Sequence, residues 1–195
     1  MSTSYEIPSD QQFITVQELK SKGLSQYNVS KLVERGALIK LTKKAYEITD
    51  YHGEESDLYY VNAYIPNGVI CLLSAASYWD LTTYIPDSIN VAIPRKSRVS
   101  TLPEWPQISI SYFTDDRYQL GITDITEGRN HFLIYNTEKT VVDIVFYREK
   151  VGIEGTKEIL TTYLRRKDRN LNLLLEYADQ LKCEGVMRQY LEVLV

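Results

Sequence analysis

The residue types that most often bind metals or perform catalysis are few in this sequence and stand far apart. The chain of 195 residues contains two histidines, His52 and His131, and two cysteines, Cys71 and Cys183. A metal site needs several such ligands at short spacing, and these four residues are isolated from one another. Surface or hydrogen-bonding roles are therefore favoured for the histidines. Cys71 lies in the apolar run GVICLL, which predicts a buried free thiol.

Two further stretches contain residues that enzymes use. Asp115 and Asp116 in YFTDDRY could bind a cation, but no third carboxylate stands near them, so a polar turn between strands is favoured. Ser74 in LLSAAS lacks the glycines of a nucleophile elbow and is expected to cap a helix. The metalloprotease, P-loop and dinucleotide-binding motifs do not occur. We therefore expect a protein that is not an enzyme, with no cofactor and no metal.

Basic residues are concentrated near the start of the chain. Residues 11–45 contain seven Lys and Arg against Glu18 and Glu34, a local charge of +5, whereas the whole chain carries −4. A basic segment in an acidic chain is typical of a nucleic-acid-binding module. The alternative is a small α/β lobe with a solvated basic face.

The pattern inside this segment indicates two short helices followed by a hairpin. Thr15 is a plausible N-cap with Glu18 in the capping-box position, and Gly23 ends the first helix. Ser25 caps a second helix that ends at Gly36. The run ALIKLTKKAYEI then predicts two strands joined by a basic turn. Helix, helix and basic hairpin predict a winged helix-turn-helix DNA-binding domain over residues 1–50.

In such a domain the second helix contacts base edges and the hairpin turn contacts phosphates. We expect Tyr27, Asn28 and Lys31 to face the bases, and Lys40, Lys43 and Lys44 to bind the backbone. The predicted DNA-binding residues are Lys20, Lys22, Ser25, Gln26, Tyr27, Asn28, Ser30, Lys31, Arg35, Lys40, Lys43 and Lys44. Two later basic groups either extend this track or only complement the ends of a strand and a helix; they are Arg95, Lys96 and Arg98, and Arg165, Arg166, Lys167 and Arg169.

The rest of the chain has a different character. The acidic stretch DYHGEESD, residues 50–57, is the predicted boundary, and residues 55–195 are the predicted second domain. This part contains helical patterns, then the extended runs SINVAIP, QISISYF, LGITDIT and HFLIYN, then helices to the end. We therefore expect an α+β protein: a winged helix-turn-helix followed by a larger mixed α/β domain with a helical C-terminal tail. No signal peptide or membrane-spanning run is visible, so a cytoplasmic location is expected.

Three motifs follow the basic segment in a fixed order: the small residues Ser74-Ala75-Ala76, the strand from Pro86 to Pro94 with trailing Arg95 and Lys96, and Glu138-Lys139-Thr140 with Asp143. In this order they resemble the AbiE antitoxin family, the antitoxins of type IV abortive-infection systems of bacteria. Together with the basic segment they cover roughly residues 12 to 194.

The resemblance implies a phage-defence antitoxin that represses its own operon through double-stranded promoter DNA, which we expect it to bind at repeated sites. It also implies that the larger domain counteracts a nucleotidyltransferase-like toxin without a stable complex. Two alternatives remain open. One is a stand-alone winged-helix repressor with a ligand-sensing or partner-binding C-terminal domain. The other is a protein–protein adaptor that has lost DNA contact.

Overall fold

The computed structural model describes residues 7–194, which form an α+β fold. The strands are β1 (Phe13–Thr15), β2 (Leu38–Lys40), β3 (Ala45–Ile48), β4 (Val69–Ile70), β5 (Ile89–Pro94), β6 (Ile108–Phe113), β7 (Ile122–Glu127) and β8 (Asn130–Tyr135). The helices are α1 (Val16–Ser21), α2 (Gln26–Glu34), α3 (Tyr59–Tyr64), α4 (Leu72–Tyr78), α5 (Asp115–Gln119), α6 (Thr137–Phe146), α7 (Arg148–Val151), α8 (Ile153–Arg165), α9 (Leu171–Gln180) and α10 (Glu184–Leu194). In this part of the chain no helix combines the length and the apolar character that crossing a membrane requires.

The chain divides into two compact units. The first contains the residues up to Gly68 together with Arg98–Gln107 and Asp124–Phe132. The second contains Val69–Ser97, Ile108–Thr123 and the residues from Leu133 onward. The first unit thus extends past the acidic stretch at residues 50–57, which has no helix or strand. Two independently folding domains that meet at this stretch remain a prediction.

In the first unit, α1 and α2 accompany a three-stranded antiparallel sheet of order β1-β3-β2. Both helices begin as the sequence predicts. The Thr15 hydroxyl accepts from the Glu18 N–H at 3.2 Å, and the Glu18 carboxylate accepts from the Thr15 N–H at 2.7 Å. A capping box satisfies N–H groups that a helix start would otherwise leave unpaired. The core beneath these elements is formed by Ile14, Leu19, Leu24, Val29, Leu38, Tyr46 and Ile48.

The larger sheet has the strand order β6-β5-β4-β8-β7. Within the second unit, β5 pairs with β6 in parallel, and β4 pairs with β5 antiparallel and with β8 in parallel. Helix α6 is buried along most of its length. It packs with α4, α8, α9 and α10 around an apolar core. Its burial is explained by the sequence TVVDIVF, in which apolar residues occur on successive turns.

Two local predictions in the second unit are wrong. Ser74 does not cap α4, because the helix begins at Leu72 with Cys71 in the N-cap position. The Ser74 hydroxyl instead accepts a hydrogen bond from the Asn90 N–H at 2.8 Å and so ties the helix to β5. Asp115 and Asp116 form the first turn of α5 rather than a simple turn between strands. Acidic residues are favoured there by the helix dipole.

Candidate nucleic-acid interface

Helix α2 has one face in the core of the first unit and one face in solvent. Val29 is buried, and Leu32 packs against the same core. Tyr27 is 69% exposed. Because residues three and four apart share a helix face, Tyr27, Lys31 and Glu34 form one outward row. Tyr27 and Lys31 are predicted to contact bases, and Glu34 adds a carboxylate to the same row.

Lys31 is held between its two neighbours in this row. Its Nζ lies 2.7 Å from Oε2 of Glu34, and the two side chains are 45% and 62% exposed. The same Nζ lies 5.7 Å from the centroid of the Tyr27 ring. Exposed contacts of this kind contribute little to stability, on the order of a few tenths of a kcal/mol for the ion pair. Their main effect is to place the Lys31 ammonium next to the Glu34 carboxylate on the outer face of α2.

The start of α2 uses a residue that was predicted to contact bases. The carboxamide oxygen of Asn28 accepts from the Ser25 N–H at 3.1 Å and from the Ser25 hydroxyl. In return, the Ser25 hydroxyl accepts from the Asn28 N–H at 3.3 Å. Asn28 therefore caps the helix through Oδ1, and its Nδ2 is the atom that could donate to a base. Gln26 and Ser30 are exposed beside it.

The turn between β2 and β3 presents two lysines at a defined place. The Thr42 hydroxyl accepts from the N–H groups of Lys44 and Ala45 at 3.1 and 3.0 Å. The Leu41 N–H donates to the Ala45 carbonyl at 3.1 Å, which closes the hairpin. The side chains of Lys43 and Lys44 are exposed. This hairpin end can therefore offer two adjacent ammonium groups to an anionic partner.

The positive charge of residues 11–45 is largely unneutralised. Within the described residues, Lys31 is the only basic residue of this window that forms an ion pair. The other basic side chains of the window are all exposed; they are Lys20, Lys22, Arg35, Lys40, Lys43 and Lys44. Of the two acids in the window, Glu18 is occupied by the α1 capping box. An uncompensated group of surface cations attracts polyanions such as DNA.

The later basic groups are used in part for internal contacts. Arg166 donates through Nε and Nη2 to both carboxylate oxygens of Asp168 at 2.9 and 2.7 Å, and through Nη1 to the Trp79 carbonyl at 2.7 Å. Arg169 donates to the Arg166 carbonyl at 2.6 Å. These bonds fix the connection between α8 and α9. The remaining members are exposed: Arg95, Lys96, Arg98, Arg165 and Lys167. A continuous DNA track through these groups remains a prediction.

The motif at the start of α6 builds a buried charge network. Asp143 accepts from Arg117 and from Lys139, and all three side chains are buried. Aromatic rings cover both cations. The Lys139 Nζ lies 4.0 Å from the Tyr135 ring centroid, and the Arg117 Cζ lies 3.7 Å from that of Phe146. Burial lowers the pKa of Lys139 below its ordinary value, although the Asp143 carboxylate opposes the change. These residues organise the interior of the second unit.

Arg117 was not predicted as a buried residue, because it follows Asp115 and Asp116 in a stretch typical of a polar turn. Glu138 of the same motif is also internal, since its Oε1 accepts from the Tyr163 hydroxyl and from the Asn170 N–H, each at 3.1 Å. No arrangement of three or more His, Cys, Asp or Glu side chains that could hold a metal ion occurs in residues 7–194.

A cavity of about 250 Å³ lies in the first unit at the N-terminus of α1. Burial raises the pKa of Glu18, but hydrogen bonds from Thr15 and Gln11 outweigh it, and the pKa lies below the ordinary value. Across the cavity, His131 shares a hydrogen bond of 3.0 Å with Asn62. The polar residues that line the cavity include Gln11, Thr15, Glu18, Asn62, Asn130 and His131. A small polar molecule would fit this space.

Comparison of the sequence with models of protein families and with curated proteins finds no match. The exposed charges of residues 11–45 and the outward row of α2 are therefore the observations from which a function can be inferred. Both lie in the first unit.

Proposed function

We propose that the chain is a DNA-binding repressor of its own operon, in which residues 11–48 act as a winged helix-turn-helix. The observation that carries the proposal is the unneutralised basic surface of residues 11–45 around an exposed helix and a short hairpin. In a winged helix-turn-helix, α2 would enter the major groove. Lys43 and Lys44 would then bind phosphates on the flank of the groove. Repression follows if the occupied sites overlap the promoter.

We extend the proposal to a type IV antitoxin that counteracts a nucleotidyltransferase-like toxin without a stable complex. The support is the resemblance to AbiE antitoxins, which includes Glu138, Lys139 and Asp143. These residues make the buried contacts of α6, so they account for folding of the second unit rather than for chemistry. Antitoxin activity is accordingly assigned to the folded second unit as a whole.

The test pairs a promoter reporter with a growth assay in which the protein is co-expressed with the product of the gene next to its own. Replacing Lys43 and Lys44 by alanine should release the reporter and leave growth rescue intact, because the second unit is unchanged. The matched control is Lys150→Ala with Lys157→Ala, which removes the same charge from α7 and α8. Loss of rescue in the folded Lys43 and Lys44 variant would show that antitoxin activity needs the DNA-binding surface. If neither the wild type nor any variant rescued growth, the antitoxin proposal would be contradicted.

The cavity at α1 supports a second candidate, a repressor whose DNA affinity responds to a small molecule. Glu18 belongs both to the cavity lining and to the capping box of α1, so an occupant could alter the start of that helix. This candidate predicts that a cell-metabolite extract changes promoter affinity for the wild type and not for His131→Phe. The antitoxin proposal predicts that the extract affects the wild type and His131→Phe equally. The growth-rescue assay then tests the antitoxin proposal separately.

A further inference from the structure

Glu34 is an unusual residue for a surface that binds DNA. It lies on the outward row of α2 with Tyr27 and Lys31, and its side chain is 62% exposed. A carboxylate close to two lines of phosphates is repelled by them, so it lowers affinity for duplexes in general. The ion pair with Lys31 offsets part of this repulsion, and a hydrogen bond accepted from the DNA would offset more of it.

We infer that Lys31 and Glu34 together recognise one G·C base pair, with the ammonium donating to guanine and the carboxylate accepting from cytosine. The inference rests on the proposed function, since it requires α2 to lie in the major groove. It adds Glu34 as a specificity-determining residue and defines what Lys31 contacts.

The geometry of the ion pair matches the edge of a single base pair. The Lys31 Nζ and Glu34 Oε2 are 2.7 Å apart, so a donor and an acceptor stand side by side. In the major groove a G·C pair presents the N7 and O6 acceptors of guanine beside the N4 amino donor of cytosine. An ammonium has three N–H donors, and the ion pair uses one of them. Nζ can therefore keep Glu34 in place while it donates to guanine.

Other base pairs fit this arrangement less well. Beside its N6 amino group adenine offers the single acceptor N7, whereas guanine offers two acceptors to Lys31. The Glu34 carboxylate could accept from adenine N6 as well as from cytosine N4, so the preference for G·C over A·T comes from the second acceptor that guanine offers Lys31. The Tyr27 ring centroid lies 5.7 Å from the same ammonium. G·C in one orientation is accordingly the favoured partner.

The experiment determines base preference with the full-length protein and a library of duplexes randomised within the protected part of its promoter. For the wild type, one position should prefer the G·C pair over the other pairs by at least about fivefold. Glu34→Gln should weaken that preference, because Lys31 still contacts guanine but glutamine can also pair with adenine, and it should raise affinity for duplexes that lack the site. Lys31→Met should abolish the preference at the same position. All other positions should keep their preferences in both variants.

Glu184→Gln is the matched control. It breaks an exposed ion pair on α10, with Arg188 Nη2 at 2.6 Å from the carboxylate, and changes the net charge by the same amount. It should change neither preference nor affinity. The inference is overturned if Glu34→Gln keeps the wild-type preference, if the two α2 variants affect different positions, or if the wild type prefers A·T there. Absence of any DNA binding by the wild type would instead refute the proposed function, and the inference with it.

Discussion

Asp143 neutralises two buried cations, so its replacement by asparagine should strongly destabilise the second unit. The carboxylate is fully buried and bonds both Arg117 and Lys139. The neutral carboxamide of an asparagine would leave both positive charges in the interior without a counter-charge. Removing one partner from a buried ion pair typically costs about 3–5 kcal/mol. That is a large part of the roughly 5–15 kcal/mol that holds a domain folded.

Lys139→Met is the informative companion variant. It removes one hydrogen bond but leaves Asp143 and Arg117 as a balanced pair, and methionine fills a similar volume. We expect a cost below about 1.5 kcal/mol, in the range of volume-conserving changes in a core. Urea unfolding can be followed by Trp79, whose indole N–H donates to the Tyr135 carbonyl at 2.8 Å within the same unit. Trp105→Phe in every variant would make Trp79 the only tryptophan. A Lys139→Met variant less stable than Asp143→Asn would refute the charge-balance reasoning.

The buried network of Arg117, Lys139 and Asp143 also predicts that the stability of the second unit depends on pH. Burial lowers the pKa of Lys139, so the folded protein loses this proton at a lower pH than the unfolded chain does. Between the folded pKa and the unfolded value of about 10.4, the unfolded state binds more protons. The contribution of Lys139 to stability therefore increases with pH in this window and is lost as pH falls through the folded pKa. As the pH rises through this window, the unfolding free energy of the wild type should therefore increase relative to that of Lys139→Met. A difference independent of pH would contradict this.

Three further changes have defined outcomes. Ser25→Ala removes the N-cap of α2 and should cost about 1 kcal/mol in the first unit, measured by urea unfolding followed by Trp105 in a Trp79→Phe background. Tyr163→Phe removes a hydrogen bond to the buried Glu138 carboxylate and should cost about 1.5–3 kcal/mol in the second unit, measured by urea unfolding followed by Trp79 in a Trp105→Phe background. Arg166→Met should speed hydrogen exchange in the connection between α8 and α9 and leave promoter affinity unchanged.

The elements that the sequence predicts well are those whose signals are local. The capping residues Thr15 and Ser25 begin α1 and α2, and Gly23 and Gly36 follow these helices with φ of 81° and 72°. This left-handed conformation is readily adopted by glycine, so the helix ends are encoded in single residues. The extended runs that become β5 to β8 were also predicted, since each contains several β-forming residues in succession.

What the sequence did not reveal depends on contacts between distant residues. β4 has two residues, Val69 and Ile70, and exists because β5 and β8 pair with it on either side. Arg117 is buried because Asp143, 26 positions later, accepts a hydrogen bond from its guanidinium. Glu34 has no distinguishing pattern in the sequence, and only the structure shows its ion pair with Lys31 on the outward row of α2. Such partners have no local signature in the chain.

The salt dependence of promoter binding tests the central claim most directly. The affinity of the full-length protein for its promoter duplex should fall linearly in a plot of log K against log salt concentration, because each bound phosphate releases counterions. Replacing Lys43 and Lys44 by alanine should reduce the steepness of that line by about 2, and Lys150→Ala with Lys157→Ala should leave it unchanged. An affinity that barely responds to salt, or an equal slope in the wild type and the Lys43 and Lys44 variant, would contradict a winged helix-turn-helix bound to DNA.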